Sequence, residues 1–271
     1  MFRFANQNSV FCMSDSPSAF FHMTRSTVAE RRYSAAEVKA RLDKWNIVGT
    51  SVKARDGVYT LDDLGKAHLE FDKALARSGL ADFACLICKA IEPTEFQISQ
   101  DIHKTFKAVE DCLLKPNWRL KCSIPKDYDK SRIAILATAW VLGMNPNAKI
   151  IMLASNREVA SKNGQTILEI MRSKEYQRLF PGTKISKRAR ARKNFDTTKG
   201  GSFFAGDMHL DLTGVHGDIV LFDNPLETVP WGNIYGALNS SDSSIAILQS
   251  YSPAYDFASN VPAGESWTHT P

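Results

Sequence analysis

The sequence lacks a long hydrophobic run, a regular cysteine framework and a strong excess of charge of one sign. Its longest uncharged stretch, residues 133–147, is shorter than the roughly 18 apolar residues that span a bilayer, and it predicts a buried helix instead. The N-terminus has no basic segment followed by an apolar core, so no secretory signal is expected. Five cysteines at irregular spacing indicate reduced thiols in a cytosolic setting. A net charge of +5 permits a nucleic-acid partner without requiring one.

What the sequence does contain is the composition of a globular protein. Of its 271 residues, 44% are hydrophobic and 23% are charged, which excludes a disordered chain. This length suits one large domain with a smaller appendage.

Three segments with different patterns follow one another along the chain. Residues 1–32 mix polar and aromatic residues without a period and predict a flexible arm. Residues 33–95 predict a helical segment, beginning with a capping box from Ser34 to Glu37. Residues 96–271 open with a helix and then alternate short apolar strands with helices, which is typical of a parallel α/β sheet. The predicted helices span 60–75, 80–90, 98–114, 130–142 and 156–171, and the predicted strands span 118–124, 149–154, 218–223 and 244–249.

A first candidate site lies between the strand 118–124 and the helix that starts at Lys130. A strand, a tight loop, Lys130-Ser131 and a helix follow the layout of a phosphate-binding loop, in which lysine neutralises phosphate and the hydroxyl binds Mg²⁺. The glycines of such a loop are missing. Taken alone, the pattern is therefore more often structural than functional.

A second candidate site is the acidic end of the strand 218–223. Nucleotide enzymes hold Mg²⁺ with a carboxylate at the carboxyl edge of the sheet, where Asp223 is expected. A strand that ends in aspartate is also a common turn signal. The two features in this order are more informative together than either is alone.

Together with several further landmarks, these motifs resemble the ATPase domain of the large terminase subunit of tailed bacteriophages, the motor that packages DNA into the procapsid. The resemblance covers about two thirds of the chain, from Gly79 onward. The landmarks are Asp82-Phe83, Ile91-Glu-Pro93, Phe96 and His103, the loop 125–131, Trp140 with Asn145-Pro146, the strand 149–155, the segment 173–182 that ends in Leu-Phe-Pro-Gly, the segment 212–225 that ends in Phe-Asp-Asn-Pro, the strand 245–251 and Gly264-Glu-Ser-Trp267.

The resemblance implies a P-loop NTPase-like three-layer sandwich that uses ATP and Mg²⁺. It places Lys130 on the β- and γ-phosphates, Ser131 and Asp223 on Mg²⁺, and His103 on the adenine side. Lys126 stands where the family has arginine. The family's nuclease domain would begin where this chain stops, so DNA cleavage is not expected.

Two departures from the family pattern fall on the loop and on the hydrolytic position. Asp129 replaces the glycine or alanine before the loop lysine, adding bulk and a negative charge beside the phosphates. Asn224 takes the place of the acidic residue that polarises the attacking water, and an amide cannot accept a proton. Hydrolysis is accordingly expected to be more impaired than binding.

The strongest charge feature is a basic run with only Asp196 opposing it. It predicts a sequence-independent contact with the backbone of duplex DNA or with a charged protein, although a solvated loop would show the same composition. Its cations are Lys184, Lys187, Arg188, Arg190, Arg192, Lys193 and Lys199.

Three weaker patterns favour structural explanations. Cys85 and Cys88 have no second pair at zinc spacing and suit core packing. His209 and His216 flank Asp211 but suit a loop better than a metal site. The glycines at 200, 201 and 206 predict turns.

Two functions from different classes follow from these observations. The first is a viral DNA-packaging ATPase module, impaired in hydrolysis, that acts in the cytoplasm of the bacterial host on double-stranded DNA, terminase or portal components, with a possible homo-oligomeric ring and no membrane. The second is a non-catalytic regulator or inhibitor, derived from the same fold, that binds DNA or a protein. An unrelated α/β domain with chance matches is the remaining alternative.

Overall fold

The computed structural model describes residues 61–91, 100–125, 128–187, 194–225, 229–250, 262 and 266–270. The predicted arm 1–32 and the capping box at Ser34 lie outside these ranges. The helices are α1 (Leu61–Ser78), α2 (Leu80–Ile91), α3 (Gln100–Leu114), α4 (Lys130–Met144), α5 (Arg157–Arg172), α6 (Lys174–Leu179) and α7 (Trp231–Gly236). The strands are β1 (Arg119–Ile124), β2 (Lys149–Ala154), β3 (Asn194–Asp196), β4 (Ser202–Asp207), β5 (Ile219–Asp223), β6 (Ser244–Ser250) and β7 (Thr268–Thr270).

The strands form one seven-stranded sheet in the order β3-β4-β2-β5-β6-β1-β7. All neighbouring strands are parallel except β3 and β4. The expected α/β class with a mostly parallel sheet is therefore confirmed. Every residue of β5 is buried, as expected for a central strand covered on both faces.

Helices α1 to α6 all contribute to the core on one face of the sheet, whereas α7 and the segment 208–217 pack on the other. Helix α4 is apolar around its whole circumference and is buried from Ile133 to Leu142. Its Trp140 ring nitrogen donates a hydrogen bond to the Ala76 carbonyl oxygen of α1 at 2.8 Å. A polar tip on a buried ring needs such a partner, and this bond joins α1 to the core helix.

The N-terminal helices α1 and α2 share this core with the sheet. The ring of Phe83 on α2 packs edge-on against Tyr176 at 6.1 Å and against Phe180 at 5.7 Å. The Leu80 backbone nitrogen, at the start of α2, donates to the Glu110 carboxylate of α3 at 2.7 Å. The division of the chain at 95/96 stays a prediction, because packing on a common core is compatible with either one domain or two.

The chain leaves the adjacent strands β1 and β6 in opposite directions along the sheet. From β1 the chain passes through α4 to β2, across β6 and β5, whereas from β6 it passes to β7, across β1. Open α/β sheets bind ligands outside the carboxyl ends of the strands at such a switch point. The sheet therefore directs attention to the carboxyl ends of β1 and β6 and to the loop that follows β5, the next strand.

Several elements were not anticipated from the sequence. The short helices α6 and α7 and the strands β3, β4 and β7 were absent from the prediction. The assignment of Gly206 to a turn is wrong, since it lies inside β4, where a Cβ atom would meet the Leu210 side chain at 2.6 Å. No helix in the described ranges is long and apolar enough to cross a membrane.

Candidate nucleotide and metal site

The loop after β1 turns tightly into α4. The Tyr128 backbone nitrogen donates to the Pro125 carbonyl oxygen at 3.1 Å, which closes the turn. Asp129 is extended, with φ −78° and ψ 94°, and its carboxylate accepts the Arg132 backbone N–H at 3.0 Å. Asp129 is thus the N-cap of α4, placing a negative charge at the positive end of the helix dipole. Lys126 lies outside the described residues.

Asp223, the last residue of β5, is the centre of the site. It is 1% exposed and lies on the face of the sheet that α4 and α5 cover. Its Oδ2 atom accepts a hydrogen bond from the Asn163 Nδ2 of α5 at 2.7 Å. Its Oδ1 atom is also buried but has no hydrogen bond of normal geometry within the described residues.

Four side chains of the two neighbouring helices influence the pKa of this carboxyl. Burial raises the pKa of Asp223 above its ordinary value, because desolvation penalises the charged form. Hydrogen bonding by Ser131 and Asn163 opposes the rise, the charge of Asp129 adds to it, and that of Lys130 counteracts it. The predicted phosphate and metal residues Lys130, Ser131 and Asp223 are therefore brought together, although the two motifs are about ninety residues apart.

Lys130 begins α4 with a half-buried side chain. Its ammonium donates to the Tyr128 carbonyl oxygen at 3.5 Å, a long and weak hydrogen bond. Because this hydrogen bond is weak, the ammonium can turn toward an anion at the N-terminus of α4. A lysine in this position supplies the charge that a phosphate needs.

Asn224 has a structural task that the sequence did not reveal. Its backbone is in the left-handed region, with φ 52°, which asparagine tolerates better than most residues. Its backbone nitrogen donates to the Leu248 carbonyl oxygen at 2.7 Å, and its side-chain oxygen accepts the Ser250 N–H at 3.0 Å. Both bonds tie the end of β5 to the end of β6. The amide oxygen is therefore engaged by the sheet rather than directed at a water.

The donor atoms around Asp223 fit a Mg²⁺ ion. Magnesium prefers oxygen ligands and is usually held by one or two protein groups, with waters and phosphate completing the octahedron. The orphaned Oδ1 of Asp223 and the Ser131 hydroxyl are such oxygens. Within the described part of the chain no group of three or more His, Cys, Asp or Glu side chains converges as a metal cage. The remaining ligands would accordingly be water and phosphate.

The predicted adenine-side residue His103 is exposed on the first turn of α3. Its charge lowers the pKa of Asp82 on α2, against a net rise caused mainly by burial of that carboxyl. Its position therefore places it beside α2. No contact in the described residues links it to Lys130 or Ser131, so its role at a nucleotide stays a prediction.

The described ends of the basic run lie beside β3, at the outer edge of the sheet. The Ser186 backbone nitrogen donates to the Asp196 carbonyl oxygen at 2.7 Å, and that of Thr198 donates to Lys184 at 2.8 Å, so the two flanks of the run pair antiparallel. Lys184 and Lys187 are exposed. The other predicted DNA contacts, Arg188, Arg190, Arg192 and Lys193, lie outside the described residues.

The weaker candidates behave as ordinary structural residues. Asp211 accepts hydrogen bonds from both the backbone and the hydroxyl of Thr213, at 2.9 and 2.6 Å, as in a loop turn. His209 is exposed in the same loop. Cys88 is buried in the core, and Cys85 is half-buried.

Sequence reasoning missed Asn163. Its amide is 2% exposed on the core-facing side of α5, between Ala160 and Ile167. The signal that could have identified it is an amide at a core position of an amphipathic helix, since such a group needs a buried partner. No model of a known protein family and no curated protein sequence matches the chain.

Proposed function

We propose that this protein is a terminase-type nucleotide-binding module that holds ATP and Mg²⁺ at the carboxyl edge of its sheet and hydrolyses ATP weakly. The observation that carries the proposal is the closeness of Ser131 to Asp223, a buried carboxylate whose Oδ1 has no hydrogen bond of normal geometry within the described residues. In this proposal Ser131 and Asp223 would hold Mg²⁺, which would supply positive charge to the phosphates, and Lys130 would neutralise further phosphate charge.

The sheet order supports the same location. Strand β6 separates β1, which leads into the Lys130 loop, from β5, which ends in Asp223. The two motifs therefore lie at the same edge of the sheet, with one strand between them. The resemblance to the terminase ATPase domain adds DNA packaging in a bacterial host as the process that this module serves.

Weak hydrolysis follows from two side chains at the site. Asn224 offers no base, and its amide oxygen accepts the Ser250 N–H. Positioned bases usually contribute about 10²–10⁴-fold to such reactions. Asp129 already satisfies one helix N–H that a phosphate oxygen would otherwise use. Nucleotide binding is expected to survive these changes better than turnover.

A titration with fluorescent ATP tests the proposal. Wild-type protein with Mg²⁺ should bind in the micromolar range, and Lys130→Ala should weaken binding at least tenfold. Lys174→Ala, an exposed lysine on α6, is the matched control and should have no effect. Equal affinity of wild-type and Lys130→Ala protein would contradict the proposal.

The second candidate, a non-catalytic regulator, is favoured specifically by the structural tasks of Asp129 and Asn224. A motor module should release phosphate faster when duplex DNA is added, and Lys130→Ala should abolish this release. A regulator should bind its DNA or protein partner equally well with Lys130→Ala, yet lose binding when Lys184 and Lys187 are neutralised. Partner binding that survives this neutralisation would exclude Lys184 and Lys187 from the interface with the partner.

A further inference from the structure

Asn163 is a polar residue at a position where the fold calls for an apolar one. Helix α5 turns one face to the core, and on that face Asn163 stands among Ala160, Gly164, Ile167 and Leu168. Burying an amide costs free energy unless hydrogen bonds replace its water. The Asn163 amide therefore needs a hydrogen-bond partner from outside α5.

The partner is the carboxylate of Asp223. Asn163 Nδ2 donates to Asp223 Oδ2 at 2.7 Å and lies 3.7 Å from the Met152 sulfur. The reversed amide orientation would set two oxygens against each other, so the contact fixes which end of the amide faces Asp223. The same contact determines which oxygen of the Asp223 carboxylate accepts this hydrogen bond.

The two oxygens of the Asp223 carboxylate therefore have different surroundings. Oδ2 accepts the hydrogen bond from Asn163, whereas Oδ1 is buried with no hydrogen bond of normal geometry within the described residues. We propose that Asn163 is a positioning residue that orients Asp223 so that Oδ1 is presented to the divalent cation. This inference rests on the proposed function, because it concerns how the same Mg²⁺ site reaches its affinity.

Groups that orient a metal ligand contribute strongly without touching the metal. Loss of such a partner typically lowers metal affinity by about 10–100-fold. Asn163→Leu keeps the branched shape of the side chain, with larger methyl groups, and removes both the donor and the acceptor of the amide. In this variant the Asp223 carboxylate keeps its place on β5 but can rotate. Binding of the cation must then restrict this rotation, which lowers the affinity of the site for the metal.

The experiment measures Mn²⁺ binding by paramagnetic resonance in the presence of a non-hydrolysable ATP analogue, and separately measures analogue binding in EDTA. Asn163→Leu should weaken Mn²⁺ binding about 10–100-fold while leaving metal-free nucleotide affinity within about twofold. Thr138→Val is the matched control, because it also deletes a buried polar group, one that bonds only within α4, to Ala134. It should leave Mn²⁺ binding unchanged. Asn163→Ala provides a second, smaller replacement if the leucine does not fold.

The outcomes separate this inference from the function on which it rests. Wild-type protein that binds no Mn²⁺ would overturn the proposed function and the inference together. Wild-type binding that is unchanged in a folded Asn163 variant would overturn the inference alone. A parallel loss of Mn²⁺ and metal-free nucleotide binding would show a merely structural role and would also overturn it.

Discussion

The charge of Asp129 should limit nucleotide affinity, and two variants can separate this effect from that of helix capping. Asp129→Asn keeps an oxygen that can accept the Arg132 N–H, now made at 3.0 Å, but removes the charge. Asp129→Ala removes both. A phosphate bound at the start of α4 would use the same helix end that Asp129 already caps, so the two anions would compete for it.

The size of the effect follows from Coulomb's law. A phosphate oxygen on a neighbouring amide of the first turn would lie about 5 Å from the carboxylate, giving roughly 3 kcal/mol of repulsion at an effective dielectric near 20. Asp129 is exposed, so water and salt reduce this to about 1–2 kcal/mol. Asp129→Asn should therefore tighten ATP binding about 5–30-fold. The alanine variant should gain similar affinity but lose about 1 kcal/mol of folding stability with the cap.

Fluorescent ATP titrations at low and high salt, together with urea unfolding, measure both quantities. The gain in affinity should shrink as salt is raised, since it comes from charge removal. If both variants bind ATP no better than wild type while Lys130→Ala still weakens binding, the competition between Asp129 and phosphate is refuted. A gain limited to the alanine variant would show that bulk, rather than charge, obstructs the site.

Three further predictions concern the fold and the basic run. Gly143→Ala should lower the free energy of unfolding by about 1–3 kcal/mol in urea, because its Cβ atom would lie 2.5 Å from the Phe180 ring, whereas an alanine at Gly236, which has open space, should not. Trp140→Phe should cost about 1–3 kcal/mol in the same assay, since it leaves a buried carbonyl of α1 without its donor. Replacing Lys184 and Lys187 by glutamine should flatten the plot of log affinity for duplex DNA against log salt concentration. The change in slope should correspond to the loss of about two phosphate contacts, and an unchanged slope would exclude these lysines from the interface.

The long periodic elements were predictable because their apolar pattern is carried by adjacent residues. Strand β2 was predicted with its observed bounds, and α4 was predicted from its first residue. Strand β4 was missed because its Gly206 was assigned to a turn, whereas the assignment of Gly200 to a turn is confirmed by its φ of +96° next to the turn at 198–199. Gly201 allows close approach to the Pro146 and Ala148 carbonyls. The helices α6 and α7 have six residues each, too few for a helical period to show.

The candidate site was only half predictable, for a different reason. Lys130, Ser131 and Asp223 follow recognisable strand-to-loop patterns, so their sequence neighbours identify them. Asn163 lies sixty residues from its partner Asp223 and follows no motif, so only the packing of α5 on β5 brings the two together. The hydrogen bond from Ser250 to Asn224 likewise depends on the pairing of β5 with β6, which the sequence does not specify.

The free-energy costs at the site indicate which of its functions the fold supports. Asp129 and Asn224, the two departures from a hydrolytic site, both stabilise the fold, one as a helix cap and the other as a link between strands. Asp223 does the opposite, because a buried carboxylate oxygen without a partner costs about 1–3 kcal/mol or more. An apolar residue would remove this cost in a protein that only needed to fold. The residues that would serve turnover are therefore used for stability, whereas the residue that would hold a cation is present at the expense of stability, which favours binding over hydrolysis.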